Sequence, residues 1–417
     1  MKTPVRVAII GMGGFAGAHH RAVASLEERG LARLVCTCDP RPGDFAREER
    51  EWRLAERRVR VFPDYRDMLA ACHSSLDLVV IPTPIALHAE MHAVAAARGL
   101  AVYLEKPPTL DHGELERMIA ADALAPRRAL VGFNFIIEQP RLALKRRLLA
   151  GEFGAPRVAT LQALWPRPTA YFRRNPWAGR LLLEDGRIVT DSCFGNAMSH
   201  HVHNVLFWTG TEGLHSWTPL AAVRAELYRA HAIEGADTFF VEADTPGGVV
   251  LRFATSHACA GASTQCETVL CERALIRYVV GGNWEVRWND GRVERGVLGP
   301  FDALEANHLE YQTYLRGESE RPATTLADCR PFVALNALAY VSSGAIHRFP
   351  PDAVVPVRDE KEQLDYLSVP QLPAAQEQFL ERGVWPGGAR WGRTPGEVAT
   401  MPDLSRFGAV VRAMARN

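Results

Sequence analysis

The sequence predicts an α/β protein of two domains: a doubly wound parallel sheet, then a domain built on a mostly antiparallel sheet. Val5–Ile10 is an apolar, β-branched run without alternation, as expected for a strand buried on both faces. Strand-like and helix-like segments then alternate up to Asn134, which predicts parallel strands joined by right-handed crossovers. From Phe135 onward, turn pairs such as Pro246-Gly247 separate strand-like segments, which is typical of an antiparallel sheet.

The first domain is predicted at residues 1–134, with each short apolar strand followed by a helix-like segment. Its helices are expected to run through Arg29, to open at Asp64, to run through Arg98, and to begin near Asp111. The predicted strands are Val5–Ile10, Leu34–Cys38, Arg58–Val61, Leu76–Pro82, Ala101–Glu105 and Arg128–Asn134.

The second domain is predicted at residues 135–349 and opens with an Arg-rich amphipathic helix, Gln139–Leu149. Its predicted strands are Arg157–Trp165, Ala221–Tyr228, Thr238–Ala243, Gly248–Ser256, Glu267–Val280 and Trp284–Trp288. Helices are expected near Ala197–Trp208, Asp302–Leu315 and Thr325–His347, the last two packing back on the first domain. Residues 350–417 are rich in Pro and Gly, with one helical patch at Ala374–Glu381. We expect this extension to wrap the domain or a partner subunit.

Composition excludes several classes of protein. The 417 residues are 47% hydrophobic and 23% charged, which indicates a folded globular chain. Lys plus Arg and Asp plus Glu both number 48, so no surplus of cations is present to neutralise a nucleic-acid backbone. No apolar run approaches the ~20 residues of a membrane span, and the N-terminal apolar stretch runs into glycines without a cleavage-type site. We expect neither a nucleic-acid partner nor a membrane.

The eight cysteines are scattered without metal-ligand spacing, so we predict no metal site and buried, reduced thiols in a cytoplasmic protein. Forty-four of the basic residues are Arg, and only Lys2, Lys106, Lys145 and Lys361 are Lys. An arginine-rich genome explains the imbalance. Each remaining lysine is nevertheless of interest, because lysine can lose its proton under conditions in which arginine cannot.

A glycine-rich turn directly after the first strand predicts dinucleotide binding. Gly11 allows the tight turn, Gly13 lets the backbone approach a pyrophosphate, and Ala16 permits close packing of the helix on the strand. The N–H groups at the helix start then face the phosphates. The cofactor-binding residues predicted here are Gly11, Gly13, Gly14, Phe15 and Ala16. The alternative is a glycine turn that binds no nucleotide.

Asp39 ends the second strand, where a carboxylate can accept hydrogen bonds from the 2′-hydroxyl of a ribose. Its charge repels a 2′-phosphate, which favours NAD over NADP. Arg41, two residues later, could bind that phosphate, so NADP is the alternative cofactor.

Two further loops follow strands of the first domain. Pro82, Thr83 and His88 come after the fourth strand, at the carboxyl edge of the sheet where ligands bind, and are expected to border the nicotinamide. A His88 that merely packs is the alternative. Glu105 and Lys106 end the fifth strand, where a lysine ammonium can polarise a substrate hydroxyl; the alternative is a surface lysine.

The segments GMGGFAGAHH, VVIPTPIALHAEM, YLEKPPTLDHGELERMI and VGFNF, in this order, resemble the glucose–fructose oxidoreductase / inositol dehydrogenase / MocA (Gfo/Idh/MocA) family. The resemblance extends over roughly Val5 to Pro350. It implies an NAD(P)-binding Rossmann domain and a C-terminal α/β domain with a large open antiparallel sheet. It also implies a dehydrogenase of sugars or cyclitols that forms dimers or tetramers through that sheet. By the same resemblance Lys106 contacts the reacting hydroxyl.

The segment Asp191–Asn204 contains three histidines at the start of a predicted helix. In the family this helix start reads Asp-x-x-x-His-x-x-Asp, which by resemblance makes His200 the general base and aligns Asn196 and His203 with the two Asp positions. Histidine suits proton transfer at neutral pH. Asn196 cannot carry charge, so we expect His203 to line the same pocket and take over substrate positioning. Metal binding by the histidines and purely structural histidines are the alternatives.

An arginine- and aromatic-rich loop precedes this helix. Ring stacking and bidentate hydrogen bonds suit a polyol or a carboxylated sugar. The predicted substrate-binding residues are Tyr171, Arg173, Arg174, Trp177, Arg180 and Asn196. A solvated loop or a subunit contact is the alternative. Asn134, predicted to bind cofactor, and Glu138 follow the sixth strand and are expected to approach the same crevice.

These features predict an NAD(P)-dependent oxidoreductase that moves a hydride between a sugar, sugar acid or cyclitol hydroxyl and nicotinamide. One alternative is a redox-neutral enzyme with tightly bound NAD, such as an epimerase, lyase or glycosidase that works through a transient keto sugar. The other is a non-catalytic, nucleotide-binding regulator. Retention of Lys106 and His200 argues against the regulator.

Overall fold

The computed structural model describes residues 3–392 and 395–416. The strands are β1 Val5–Ile10, β2 Ala32–Cys38, β3 Arg60–Phe62, β4 Leu78–Ile81, β5 Ala101–Leu104, β6 Leu130–Val131, β7 Pro156–Leu164, β8 Ala222–Arg229, β9 Thr238–Asp244, β10 Val250–Ser256, β11 Thr264–Cys271, β12 Ala274–Tyr278, β13 Asn283–Trp288, β14 Val293–Val297, β15 Ile346–Arg348, β16 Val355–Asp359 and β17 Leu364–Ser368. The helices are α1 Ala16–Glu28, α2 Ala46–Glu51, α3 Tyr65–Cys72, α4 His88–Ala96, α5 His112–Leu124, α6 Gln139–Leu149, α7 Ser199–Thr209, α8 Ala303–Leu315, α9 Arg330–Ser343, α10 Leu372–Arg382 and α11 Phe407–Met414. Among the described helices, none combines the length and the apolar character that a membrane span requires.

The chain divides into two units. The first holds the residues up to Thr109, residues 113–137 and Phe301–Cys329; the second holds residues 110–112, Glu138–Pro300 and the residues from Arg330 onward. This division differs from the predicted one in several places. Residues 135–137 belong to the first unit and residues 110–112 to the second. Helix α8 packs against α1 as expected, whereas α9, which was also expected to pack on the first domain, belongs to the second unit with the C-terminal extension and packs on β8.

The first unit is the predicted doubly wound sheet. Its six strands are all parallel, in the order β3-β2-β1-β4-β5-β6. Every residue of β4 and β5 is buried, because helices cover both faces of the sheet. Asp64 begins α3 as expected, since its side chain accepts hydrogen bonds from the N–H groups of Arg66 and Asp67.

The second unit contains a nine-stranded sheet in the order β14-β13-β12-β11-β7-β10-β9-β8-β15. Most neighbouring strands are antiparallel, as predicted, whereas β7 with β10 and β8 with β15 are parallel. The fold class is therefore confirmed, with a mixed second sheet.

Two predicted elements of the second unit are wrong in detail. The single strand expected at Glu267–Val280 is a hairpin of β11 and β12, and between these strands the N–H of Arg273 donates to the Phe153 carbonyl. The helix expected to reach His347 ends at Ser343 because Gly344 adopts a left-handed conformation with φ +64°, and the chain continues as edge strand β15.

The C-terminal extension packs onto one face of this sheet. In β9, Phe239 points to α9 and contacts Tyr340, whereas Phe240 points to the opposite face and contacts Phe379 of α10. Trp391 packs on the same face, and Gln376 donates to the Ala254 carbonyl at 3.2 Å. The sheet is open, as expected, and the protein's own tail covers one of its faces over β8–β10.

Candidate functional site

The glycine turn after β1 has the conformation that its sequence demands. Gly11 has φ +116° and Gly14 has φ +57°, both in the region that favours glycine. A Cβ on Gly13 would lie 3.0 Å from the Phe45 ring, and nothing lies within 4 Å of one built on Gly14. The turn is therefore tightly built at Gly13 and open at Gly14, and α1 begins at Ala16 directly behind it.

The start of α1 has the properties of an anion site. Its first turn contains no acidic residue, and no side chain caps it. Within residues 3–392 and 395–416, the N–H groups of Gly13, Gly14 and Phe15 have no hydrogen-bond acceptor. These donors and the positive end of the helix dipole suit a phosphate group.

The Asp39 carboxylate is held beside this turn by two backbone groups. The N–H of Met12 donates to Oδ2 at 3.3 Å and the N–H of Arg41 donates to Oδ1 at 3.1 Å. Each oxygen keeps a second lone pair, so the fixed carboxylate can still accept bonds from a ribose. The Arg41 side chain is 82% exposed and lies 3.4 Å from Asp44.

The loop after β4 is tied down by His88, which is buried. Its Nε2 lies 2.8 Å from the Thr83 carbonyl oxygen and its Nδ1 lies 3.0 Å from that of Pro107. Burial lowers the pKa of His88, and a neutral imidazole donates to only one of these carbonyls. The prediction that His88 binds the cofactor directly is not supported, since both ring nitrogens face the protein's own backbone. His88 instead links the Pro82-Thr83 loop to the loop that carries Lys106.

Glu105, next to Lys106, belongs to a buried polar chain that the sequence did not indicate. Its Oε1 accepts from Nε2 of His19 at 3.0 Å, and Nδ1 of His19 lies 3.2 Å from Nε2 of His308. Its Oε2 accepts from the Lys106 N–H at 3.1 Å. Burial, with His19 as a neighbour, lowers the pKa of His308 well below its ordinary value, so that ring is neutral. These hydrogen bonds hold the Glu105 carboxylate, and with it the backbone of Lys106, in one position.

Asn134 also lies in the first unit and is buried. Its Oδ1 accepts a hydrogen bond from the Tyr103 hydroxyl at 3.0 Å, and its backbone carbonyl accepts from Asn307 of α8 at 3.0 Å. Glu138 does not accompany it, contrary to expectation. Its carboxylate belongs to a buried ion cluster of the second unit, in which it accepts from Arg141 and from the Tyr278 hydroxyl.

In the second unit, Asn196 lies in a π-helical turn, Cys193–Ala197, just before α7. Its Nδ2 donates to Oδ1 of Asp191 at 2.7 Å, and the Gly179 N–H donates to Oδ2 at 2.8 Å. A carboxylate thus lies beside the position where the resemblance led us to expect one. No pattern in the sequence pairs Asp191 with Asn196, because only the π turn brings the two side chains together.

The three histidines of α7 have different surroundings. His200 is half-buried. His201 is buried and lies 3.3 Å from Glu267 through Nδ1. The His203 ring is fully buried against Trp217, with ring centroids 4.9 Å apart, and burial lowers its pKa well below the ordinary value. The expectation that His203 takes over substrate positioning is not supported, because packing with Trp217 makes it part of the core. Among the described residues, no group of three His, Cys, Asp or Glu side chains could hold a metal ion.

The arginine- and aromatic-rich loop is ordered by stacking. The Arg174 guanidinium lies 3.6 Å from the Tyr171 ring centroid and 5.0 Å from that of Trp177. Its Nη2 lies 3.9 Å from Asp191. Arg180 instead pairs with Glu234 at 2.8 Å, and Arg173 is exposed. Arg174 and its two rings are therefore joined through Asp191 to Asn196, whereas Arg180 is engaged in an ion pair.

Lys145 supports the end of the helix that carries His200. Its buried ammonium donates to the carbonyl oxygens of Phe207 at 2.6 Å and Trp208 at 3.4 Å, and to that of Gly210. Three acceptors that converge on one point suit the compact lysine head better than a planar guanidinium. Burial also lowers the pKa of Lys145 to about 7. An arginine at this position could not lose its proton, which gives a reason for lysine in an arginine-rich chain.

We expect Lys145→Met to destabilise the protein by about 1–3 kcal/mol, because three carbonyls lose their donor. Lys145→Arg should also destabilise it, since the larger, permanently charged head does not fit. Lys361→Arg is the matched control, because Lys361 is 90% exposed. Urea unfolding of the three variants tests this, and an unchanged midpoint for Lys145→Met would refute the capping role.

The first unit is thus a parallel doubly wound domain with a helix start that suits an anion and a fixed carboxylate beside it, which is the arrangement typical of dinucleotide-binding domains. Residues 5–133 match the sequence model of the Gfo/Idh/MocA oxidoreductase family, described as having an NAD-binding Rossmann fold. Over these residues the chain is similar to the Gfo/Idh/MocA family, as its motifs predicted.

Known proteins resemble the chain over different lengths. The scyllo-inositol 2-dehydrogenase (NAD(+)) of Bacillus subtilis is 31% identical over 159 residues, which are 37% of this chain and 43% of that protein. Similarity to the first curated relatives extends over less than half of their lengths. The WlbA dehydrogenase of Bordetella pertussis, solved with NADH and UDP-GlcNAcA, superposes with a TM-score of 0.65 at 23% identity, over 82% of this chain and 96% of that one. Levoglucosan dehydrogenase, solved with NADH and levoglucosan, superposes with a TM-score of 0.68 at 17% identity, over 82% of this chain and 97% of that one. The likeness to these two structures is one of fold.

Proposed function

We propose that this protein is an NAD-dependent dehydrogenase that oxidises a CH–OH group of a sugar, sugar acid or cyclitol. The observation that carries the proposal is the α1 start, where three N–H groups without protein acceptors lie beside the fixed Asp39 carboxylate. The names of the relatives support the substrate class, since they act on inositols and a nucleotide sugar.

The residues at the turn fit a dinucleotide. The N–H groups of Gly13, Gly14 and Phe15 would hold the pyrophosphate, and Asp39 would hold the adenosine ribose. NAD, when bound, accepts the hydride that leaves the substrate carbon. Asp39 disfavours the 2′-phosphate of NADP by charge repulsion, and Arg41 is the residue that would accommodate it.

For proton transfer we propose His200 as the general base and Lys106 as the group that orients the reacting hydroxyl. The hydroxyl proton passes to the His200 ring as the C–H hydride leaves. Asn196, held by Asp191 at 2.7 Å, is proposed to position the substrate. Glu105 acts through Lys106 by fixing its backbone, and His19 and His308 hold Glu105 in turn.

Two properties of the whole protein belong to the same proposal. We place it in the cytoplasm, where eight unpaired cysteines, seven of them buried, remain reduced. We also propose a homodimer or homotetramer formed through the β11–β14 part of the sheet. Leu270 of β11 is 44% exposed there, whereas α10 covers β10.

The test is NADH formation across a panel of sugars, sugar acids and cyclitols, with NAD and NADP compared by calorimetry. We expect absorbance at the NADH band with at least one member, tighter binding of NAD than of NADP, and a smaller difference in Asp39→Ala. Tighter binding of NADP would contradict the role of Asp39. Product without net NADH would indicate the redox-neutral alternative, and binding without turnover would indicate the regulator.

A further inference from the structure

A second arginine lies against the same aromatic ring as Arg174. The Arg167 guanidinium is 4.7 Å from the Tyr171 centroid, and that of Arg174 is 3.6 Å from it. The two guanidinium carbons are therefore no more than about 8 Å apart. Trp165 flanks Arg167 at 5.8 Å. Two cations are thus held beside one tyrosine by stacking.

These two cations share only one carboxylate partner among the described residues, that of Arg174. Among residues 3–392 and 395–416, Arg167 forms neither an ion pair nor a hydrogen bond, and its buried Nε has no acceptor. Arg174 approaches Asp191 at 3.9 Å, but that carboxylate already accepts from Asn196 and Gly179. Asp191 therefore offsets the charge of Arg174 only, and the charge of Arg167 remains beside Tyr171.

The other polar groups of this region are engaged with one another. The Nδ1–H of His257 donates to the Trp165 carbonyl oxygen at 2.8 Å. Asp237 is buried and pairs with His231 at 2.8 Å, and it accepts further bonds from the backbone N–H groups of Ala230 and His231. Asp237 is thus engaged by its own loop, and within the described part of the chain no carboxylate pairs with Arg167, whose partly exposed guanidinium is open to an added anion.

We propose that Arg167 and Arg174 form a subsite for an anionic group, a carboxylate or a phosphate, carried by the sugar substrate away from the reacting carbon. Guanidinium groups bind both anions through paired N–H bonds, and the Tyr171 and Trp177 rings suit the apolar face of a sugar. This inference rests on the proposed function, which makes the bound sugar a substrate. It narrows the class of substrate from polyols in general to acidic or phosphorylated sugars.

The experiment measures binding rather than turnover, so it does not depend on the reaction. Calorimetry of the full chain with NAD compares glucuronate and glucose 6-phosphate with glucose. We expect at least one anionic sugar to bind about tenfold or more tightly than glucose, the effect of one charge-assisted contact. A preference for glucuronate assigns a carboxylate, and a preference for glucose 6-phosphate assigns a phosphate.

Arg167→Met should abolish that preference while NAD binding stays unchanged, and Arg167→Lys, which keeps the charge, should retain part of it. The matched control is Arg292→Met, because Arg292 also stacks on an aromatic ring, Trp288, at 4.5 Å but pairs with Asp290. Equal binding of glucose and both anionic sugars, or a preference that survives in Arg167→Met, overturns the subsite. Failure of the proposed function is a different result: no NAD binding and no NADH with any sugar.

Discussion

Replacing His200 with alanine is expected to lower kcat by about 10²–10⁴, the usual loss when a general base is removed. His200 is the second residue of α7, directly after the π turn that carries Asn196. Because the hydroxyl proton must leave as the hydride departs, a missing base raises the barrier of the chemical step. NAD affinity should not change, since the residues proposed to bind it lie in the first unit. Steady-state kinetics with the best sugar of the panel, and calorimetry with NAD, measure both effects.

Two controls make this result specific. His73→Ala removes an exposed histidine of the first unit and should leave kcat unchanged. Combining His200→Ala with Lys106→Met should cost much less than the product of the two single effects, because groups that act on one hydroxyl are not additive. Full activity of His200→Ala would remove it as the base, and additive losses would place the two residues in separate steps.

The largest expected effect on stability is that of Arg141→Leu, about 3–5 kcal/mol of unfolding free energy. Arg141 is fully buried, and its guanidinium donates to Glu267 at 2.6 Å and to Glu138 at 3.2 Å. It also lies 4.3 Å from the Tyr278 ring centroid. Without the arginine, two carboxylates remain buried and close together, and the guanidinium that pairs with both of them is gone.

The pH dependence follows from the same cluster. Burial by itself would raise the pKa of Glu267, but the Arg141 charge and the hydrogen bonds around the carboxylate lower it to about 2. The wild-type protein therefore loses this contribution as pH falls from the unfolded value, ~4.3, towards 2. In Arg141→Leu the depression is lost, so lowering the pH protonates the carboxylates and the stability gap to the wild type should shrink.

Urea unfolding at several pH values tests both statements. Arg157→Leu is the control, because Arg157 pairs with Glu272 at 2.5 Å on an exposed surface and should cost no more than about 1 kcal/mol. A loss as small in Arg141→Leu as in the control would mean that the buried cluster contributes little. If the difference in unfolding free energy between the wild type and Arg141→Leu widened at low pH, unpaired carboxylates would not be its cause.

The Rossmann half was predictable because its signals are local. The unbroken apolar run of β1 specifies a buried strand, Gly11 and Gly14 occupy positive φ angles that other residues avoid, and Asp39 follows β2 at the edge where a ribose binds. Each of these features depends on a few neighbouring residues. The same holds for α6, whose observed bounds equal those expected from its amphipathic pattern.

The partners of the site residues were not predictable in this way. His203 follows His200 by three residues, which helical spacing places on the same side of α7. The burial of His203 depends on its contact with Trp217, which lies outside that helix. Asp191 reaches Asn196 only because the chain forms a π turn, and no spacing rule for a regular helix gives that contact.

The sequence by itself determined the class of the fold and the dinucleotide turn, because hydrophobic periodicity and turn chemistry act between near neighbours. The proposed acid–base residues came from the resemblance of its motifs to a known family. Tertiary structure alone decided that His19 meets His308 across 289 residues and that α10 covers the sheet. These contacts form when distant segments bury their apolar faces, and the packing of those faces fixes which polar groups meet.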